Sequence, residues 1–149
     1  MNGSEIKARL QMLGSRIIKL DIKNDFVYVD LEDEDIERTL DVSYELSDPI
    51  TFDDGTLAGK VVMSITACVE NMEHLMKVHL ELEGCFIFDE DGTEEELREM
   101  LSISGTAAIY SIARGIISGI TSQTCANGTL LLPMVNMFEL KKKQEKLDE

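Results

Sequence analysis

Three short segments contain residue types that could bind a nucleotide or a metal, and each of them fails on spacing. Gly55 to Lys60 is similar to a phosphate-binding P-loop, but it is one residue short, and Val61 stands where a Ser or Thr must bind magnesium. Asp89 to Gly92 opens like a calcium loop, but its glycine is the fourth residue rather than the sixth. The two histidines, His74 and His79, are five residues apart and so lie on opposite faces of a strand. We therefore predict neither a metal nor a cofactor.

Nucleophilic catalysis has no better support in the sequence. There is no Gly-x-Ser-x-Gly motif, and no pair of acidic residues is placed as a general acid and base would be. The three cysteines, Cys68, Cys85 and Cys125, have no Cys-x-x-Cys spacing, and an odd number is typical of free thiols in a reducing compartment. We therefore predict a cytoplasmic protein that is not an enzyme.

Composition narrows the range of partners. The chain has 149 residues, of which 29 are acidic and 14 basic, so its formal net charge is −15. This charge repels a phosphate backbone, and nucleic acid is not an expected partner.

The length predicts one domain over residues 1–149. Met1 to Leu13 lacks the apolar run of a signal peptide, in agreement with the expected location.

Alternating apolar and polar residues predict a sheet in the first half of the chain. The pattern favours strands with one apolar face at 17–23, 38–46 and 73–88, and a run of strand-forming residues predicts a fourth strand at 60–70. Asp53 to Gly55 and Asn71 to Met72 are predicted turns. Gly84 is a candidate bulge in the last strand.

After Asp89 the period of the pattern becomes helical. Thr93 and Glu96 form a capping box that begins a helix. A stretch rich in serine and glycine at 102–105 predicts a break or kink before a long helix over 106–121. Further turn residues, Asn127 and Gly128, follow that helix.

A second capping signal, Asn136 with Glu139, predicts a short C-terminal helix that ends in a frayed, charged tail at 141–149. Four strands followed by helices predict an α+β fold, in which a four-stranded antiparallel sheet packs against the long helix.

Hot-dog enzymes also wrap a sheet around a long helix, but there the helix precedes most of the strands. A hot-dog acyl-thioester enzyme is therefore a disfavoured alternative.

The long helix is more apolar than contact with one sheet requires. One stripe at helical spacing is expected to face the sheet, formed by Ile109, Ile112, Ala113, Ile116 and Ile120. Tyr110 and Ile117 lie off its centre, which favours contact with a second subunit. We predict a subunit interface of four residues: Ile109, Ile112, Ile116 and Gly119.

The span 103–120 is long enough to cross a membrane, but Arg114 and several serines argue against that.

Apolar residues are also concentrated near the C-terminus, where eight of the eleven residues from Leu130 to Leu140 are apolar. Three consecutive large apolar residues at 86–88 cannot all face one core across a strand. These two segments cover each other or leave an apolar groove for extended polypeptide. We predict a groove with six lining residues: Phe86, Phe88, Leu130, Leu132, Met134 and Phe138.

Four segments, taken in order, resemble the SecB family of protein-export chaperones. They are Gly84-Cys-Phe-Ile-Phe88, Tyr110 to Ser118, Thr129 to Leu132, and Pro133 to Phe138. Earlier in the chain, Arg16-Ile17 followed by Asp21-Ile22 is similar to the first strand of the family, so that the whole pattern runs from about Met12 to Leu140. The order and spacing of these segments carry the resemblance. The sequence departs from the family at Ser111-Ile112, where the family has Pro-Tyr, and at Gly115, where it has Glu.

The resemblance implies a four-stranded sheet in a dimer of dimers, with long helices packed between the dimers. It also implies an ATP-independent holdase that binds unfolded or preprotein chains in apolar grooves. In the family, the SecA motor docks on an acidic sheet face, and the matching positions here are Asp21, Asp25 and Glu81. A dedicated chaperone or adaptor for one partner protein is the alternative.

Overall fold

The structure, a computed structural model, describes residues 7–26, 35–89, 91–124 and 130–148 as one antiparallel sheet with helices on one face. The strands are β1 (Leu10–Asn24), β2 (Glu37–Leu46), β3 (Ile50–Thr51), β4 (Leu57–Glu70) and β5 (Leu75–Phe88). The order across the sheet is β1-β5-β4-β2, and β3 pairs with the start of β4. Helix α1 (Glu94–Met100) continues through a π-helical turn (Leu101–Gly105) into α2 (Thr106–Thr124), and α3 (Met137–Leu147) follows. The predicted turn at Asn127 and Gly128, and Cys125, lie outside the described residues.

The predicted α+β class and the four long strands are confirmed, but the sheet has a fifth strand. Ile50 and Thr51 pair with Ala58 and Leu57 around the predicted turn. Gly55 has a φ of 88°, in the left-handed region that favours glycine. Two residues are too short a run to show alternation, so the sequence pattern did not indicate β3.

Alternation along β4 and β5 builds the core. One residue in two on each strand is buried beneath the helices, and the set includes Val61, Met63, Ile65, Val69, Met76, Val78, Leu80 and Leu82. The helices contribute Leu97, Leu101, Ile109, Ala113 and Ile117 to the same cluster. The opposite face of the sheet is polar and open.

The predicted bulge at Gly84 is wrong. Gly84 pairs with Val61 in an unbroken β4–β5 register. The irregularities lie instead in β1, between Met12 and Gly14 and between Ile17 and Lys19. Gly84 is required for another reason, because Ile109 of α2 packs directly against its backbone.

The capping signals are confirmed, whereas the predicted break is only a widened turn. Thr93 accepts a hydrogen bond from the Glu96 backbone N–H, and the Glu96 side chain accepts one from the Thr93 N–H. Between α1 and α2 the helix continues through the π-helical turn. There the Thr106 hydroxyl donates to the Ser102 carbonyl at 2.8 Å.

The buried face of α2 is rotated from the predicted stripe. Tyr110 and Ile117 are buried together with Ile109 and Ala113, whereas Ile112, Ile116 and Ile120 are only half-buried. A helix that is apolar on most sides gives no clear direction for its buried face, so other contacts decide the rotation. One such contact is the hydrogen bond that the Tyr110 hydroxyl donates to the Pro133 carbonyl.

The stretch Glu94–Thr124 is 31 residues long and contains a window apolar enough, by composition, to cross a membrane. In that window 44% is buried inside the fold, and the core helix of a folded domain can have the same composition.

The C-terminal tail is helical rather than frayed as far as Leu147. Asn136 caps α3 by accepting from the backbone N–H groups of Phe138 and Glu139. Within the tail, Lys141 forms an ion pair with Glu99 at 2.6 Å. This ion pair, together with the hydrogen bond that the Tyr44 backbone N–H donates to the Gln144 side chain, holds α3 beside α1 and β2.

Candidate functional site

The apolar loop, residues 130–136, is held to α2 through main-chain atoms at three points. The Tyr110 hydroxyl donates to the Pro133 carbonyl at 2.6 Å, and Arg114 Nε donates to the Leu132 carbonyl at 3.0 Å. Thr121 Oγ1 accepts from the Leu130 backbone N–H at 2.8 Å. The three anchoring residues follow one side of α2 because their spacing is close to whole helical turns. The loop therefore has a fixed course although it contains no regular structure.

This course directs alternate side chains inward and outward. Leu130 and Leu132 are buried, whereas Leu131 is 69% exposed. Beyond Pro133, Met134 is 86% exposed, and Phe138 at the start of α3 is 63% exposed. Large apolar side chains held in water by a fixed backbone are a common mark of an interaction surface.

A cavity of about 460 Å³ opens between the apolar loop and the edge of the sheet. We call it the β2–loop groove. Its lining is mainly apolar and comes from β2, β4, α2 and the loop: Arg38, Thr39, Leu40, Ala67, Cys68, Arg114, Leu130, Leu131, Leu132 and Pro133. Ala67 is part of this lining and has a small side chain, so a larger residue at position 67 would fill part of the cavity. A volume of this size suits a few side chains of a bound chain.

The six predicted groove residues do not form one surface. Leu130 and Leu132 line the β2–loop groove, and Met134 and Phe138 are exposed nearby on the same segment. Phe86 and Phe88 are instead core residues, each 2% exposed, because strand alternation turns both toward the helices and Ile87 away. The expectation that these two side chains line an open groove is corrected by the structure.

Sequence reasoning also missed part of the lining. Leu131 stood within the apolar run, and alternation along the loop could have indicated it. Arg38 and Leu40 could not be found, since the sequence does not show that β2 is an edge strand beside the loop.

The four predicted interface residues are divided between the core and the surface. Ile109 is fully buried against the sheet and is unavailable to a second subunit. Ile112 and Ile116 are half-buried and Gly119 is exposed. A larger exposed apolar surface occurs on the edge strand β1, at Met12, Leu13, Ile17, Ile18 and Ile22.

Two of the three predicted acidic docking residues lie beside cations. Asp21 is 3.4 Å from Lys19 in an ion pair, and Glu81 faces Lys19 across the strands. The same open face carries further positive side chains at Arg16, Lys23, Lys60 and Lys77. Asp25 has a structural contact, because its carboxylate accepts from the Leu75 backbone N–H at 2.7 Å. This face is mixed in charge rather than acidic.

A second and larger cavity, of about 570 Å³, lies between β2, α1 and α3. Its lining is mostly charged, with Lys141 and Glu99 paired across it. Burial, with the nearby carboxylates of Glu145, Asp148 and Glu99, raises the pKa of Tyr44 on its wall. Because these charges prefer water, this cavity is a weaker candidate than the β2–loop groove for an apolar ligand.

We expect Tyr110→Phe to lower the free energy of unfolding by about 1 kcal/mol, because the Pro133 carbonyl loses its donor. For a chain of this size the melting temperature should fall by roughly 2–4 °C. Tyr44→Phe is the matched control, since Tyr44 is also buried and no hydrogen bond of its hydroxyl occurs among the described residues. Equal shifts in the two variants, measured by thermal circular dichroism, would show that the loop bond contributes nothing.

Comparison with known proteins finds similarity at the level of structure. Neither the protein-family models nor the curated protein sequences contain a match to this sequence. The fold is similar to that of the Mycobacterium tuberculosis SecB-like chaperone Rv1957, solved in complex with a ChAD peptide from the HigA1 antitoxin. The TM-score is 0.61 at 16% identity, over 90% of this chain and 96% of the other. A protein of unknown function from Streptococcus agalactiae gives a TM-score of 0.51 at 7% identity, over 84% and 97% of the chains.

Proposed function

We propose that this chain is an ATP-independent chaperone of the SecB-like type that holds extended polypeptide segments at the β2–loop groove. The observation that carries the proposal is the fixed apolar loop, which holds Leu131 and Met134 in water beside an apolar cavity, with Phe138 exposed just after it at the start of α3. The similarity in fold to a SecB-like chaperone solved with a bound peptide supports it. We further propose that the protein works in the cytoplasm, in agreement with its unpaired Cys68 and Cys85.

Binding by such a groove would be driven mainly by burial of apolar surface. Each large side chain removed from water contributes about 1.5–3 kcal/mol before the cost of ordering. A client that folds buries its own apolar residues and then has nothing left to place in the groove. Release therefore needs no nucleotide.

We also propose that the chain acts as a homo-oligomer. The proposal is supported by the exposed large apolar residues on β1 and by the half-buried Ile112 and Ile116 of α2, which a second copy could cover. Several grooves on one assembly would bind one long client with a higher affinity than a single groove. Light scattering of the purified protein should then give a mass at least twice that of the 16.7 kDa chain.

A dedicated chaperone or adaptor for one partner protein is the second candidate. The mixed charge of the open sheet face favours it, since delivery to SecA in the family depends on acidic residues at this face. A pull-down that recovers one stoichiometric partner, with no SecA, would favour this second candidate. Recovery of SecA and many unrelated chains would favour general export.

Suppression of aggregation tests the groove. A chemically unfolded model protein is diluted into buffer with this chain, and light scattering is followed with time. We expect strong suppression at near-stoichiometric ratio, and loss of most of it in the triple variant Leu131→Ser, Met134→Ser and Phe138→Ser. These side chains are exposed, so the variant should melt at nearly the same temperature.

Met72→Ser is the matched control, because Met72 is fully exposed at the hairpin between β4 and β5, outside the groove lining. This control should suppress aggregation as well as the natural sequence does. Full suppression by the triple variant would exclude the β2–loop groove as the client site.

A further inference from the structure

The arginines of this acidic chain are distributed unevenly. Three of the five form ion pairs: Arg9 with Asp89 and Glu96, Arg16 with Glu83, and Arg98 with Asp48. The other two, Arg38 and Arg114, pair with no carboxylate among the described residues, and both line the β2–loop groove. With 29 acidic residues against 14 basic ones, two uncompensated guanidinium groups in one mainly apolar cavity indicate a ligand that supplies the negative charge.

Arg114 has part of its hydrogen-bonding capacity already in use. Its Nε donates to the Leu132 carbonyl, which fixes the guanidinium against the loop. Arg38 is exposed on the strand edge, and no carboxylate from the described ranges pairs with it there. A carboxylate that enters the groove would therefore meet the guanidinium of Arg114, which is held in a fixed orientation, and that of Arg38, which can adjust its position.

The groove also lies beside β2, which is an edge strand of the sheet in the part of the chain that the structure describes. The Tyr44 backbone N–H points away from β4, since it donates to the Gln144 side chain, whereas the Ser47 N–H donates to the Lys60 carbonyl of β4. Backbone groups of an antiparallel strand alternate in direction, so those of Arg38, Leu40 and Val42 point outward as Tyr44 does. No backbone hydrogen bond to these three outward groups occurs within the described residues.

The two sheet edges differ in how well they could accept a new strand. β1, at the other edge, contains two register shifts, which are a common protection against edge pairing. β2 is regular from Glu37 to Leu46 in its pairing with β4. A chain that pairs with β2 at 38–42 would lie over the β2–loop groove and could place alternate side chains in it.

We propose that the groove binds an extended polypeptide segment that adds a strand to the edge of β2 and carries a carboxylate beside large apolar side chains. The carboxylate pairs with Arg38 and Arg114, and the apolar side chains contact Leu40, Ala67 and Leu131. This inference rests on the proposed chaperone function and adds the mode of binding and the type of segment. Acidic apolar segments are then preferred over basic ones, in spite of the net charge of −15.

Three fluorescein-labelled synthetic peptides of ten residues test the proposal. Each alternates leucine and serine and has blocked ends; one has a central glutamate, one a central glutamine, and the third is the glutamate peptide with alternate amides N-methylated. Fluorescence anisotropy at low salt should give a Kd about tenfold lower for the glutamate peptide than for the glutamine peptide. The N-methylated peptide should bind at least tenfold more weakly, because it cannot form the strand ladder.

Arg38→Gln should abolish the preference for glutamate, whereas Arg98→Gln, outside this groove and paired with Asp48, should preserve it. Equal affinities for the glutamate and glutamine peptides, or no effect of N-methylation, would overturn this inference. The proposed function would survive that result if the chain still suppressed aggregation and the triple loop variant did not. Loss of both properties would remove the function and the inference together.

Discussion

Gly84→Ala is expected to lower the free energy of unfolding by about 1–3 kcal/mol, the usual cost of overfilling a packed core. A Cβ atom at this position would overlap Cδ1 of Ile109 and would lie 3.0 Å from its Cγ1 and 3.1 Å from Cε2 of Phe86. Ile109 is fully buried, so its side chain has no free space to enter. Urea unfolding followed by circular dichroism measures the change.

A second substitution identifies the cause. Ile109→Val removes Cδ1 and alone should cost about 0.5–1.5 kcal/mol. Combined with Gly84→Ala, it should give a total loss smaller than the sum of the two, because the clashing atom is gone. Gly115→Ala is the control, since nothing lies within 4 Å of a Cβ there. In a helix that change should stabilise by roughly 0.5–1 kcal/mol. Additive losses at Gly84 and Ile109 would contradict the proposed contact.

Thr121→Val is expected to destabilise the chain by about 1–3 kcal/mol and to weaken the suppression of aggregation. Valine has nearly the same shape but cannot accept the hydrogen bond from the Leu130 backbone N–H, a buried donor that is then left unpaired. The apolar loop loses its first anchor, and Leu130 no longer lines the groove in a fixed position. Thermal unfolding gives the first effect, and light scattering well below the melting temperature gives the second.

Thr124→Val provides the matched comparison on the same helix. Thr124 is exposed, and among the described residues its hydroxyl donates to the Ile120 carbonyl, within α2. Its replacement should change stability by less than about 0.5 kcal/mol and should leave activity intact. If both threonine variants behave alike, the bond to Leu130 does not anchor the loop.

The strands and caps were predictable because their signals are local. Alternation along β5 indicated which of its faces is buried. The pairs Thr93 with Glu96 and Asn136 with Glu139 marked two helix starts within one or two residues. In each case the residues that specify the feature are neighbours in the sequence.

The groove was only partly predictable because its parts are distant in the sequence. Arg38 and Arg114 are 76 positions apart by their numbering, and only the strand order brings β2 beside the loop. The prediction that Phe86 and Phe88 line the groove was wrong for a related reason. A run of three apolar residues in a strand shows that both faces of the strand carry apolar side chains, but it does not show which face lies in the core. The buried side of α2 includes Tyr110, whose hydrogen bond to the Pro133 carbonyl no local pattern reveals.

The anchors of the apolar loop act on its main chain, through the carbonyls of Leu132 and Pro133 and the N–H of Leu130. Since every residue other than proline offers both of these groups, the course of the loop is largely independent of which side chains it displays. The outward positions 131 and 134 can therefore diverge during evolution while the scaffold keeps its shape. Relatives of this chain could acquire new binding preferences by changing those two positions alone, without first compensating for lost stability.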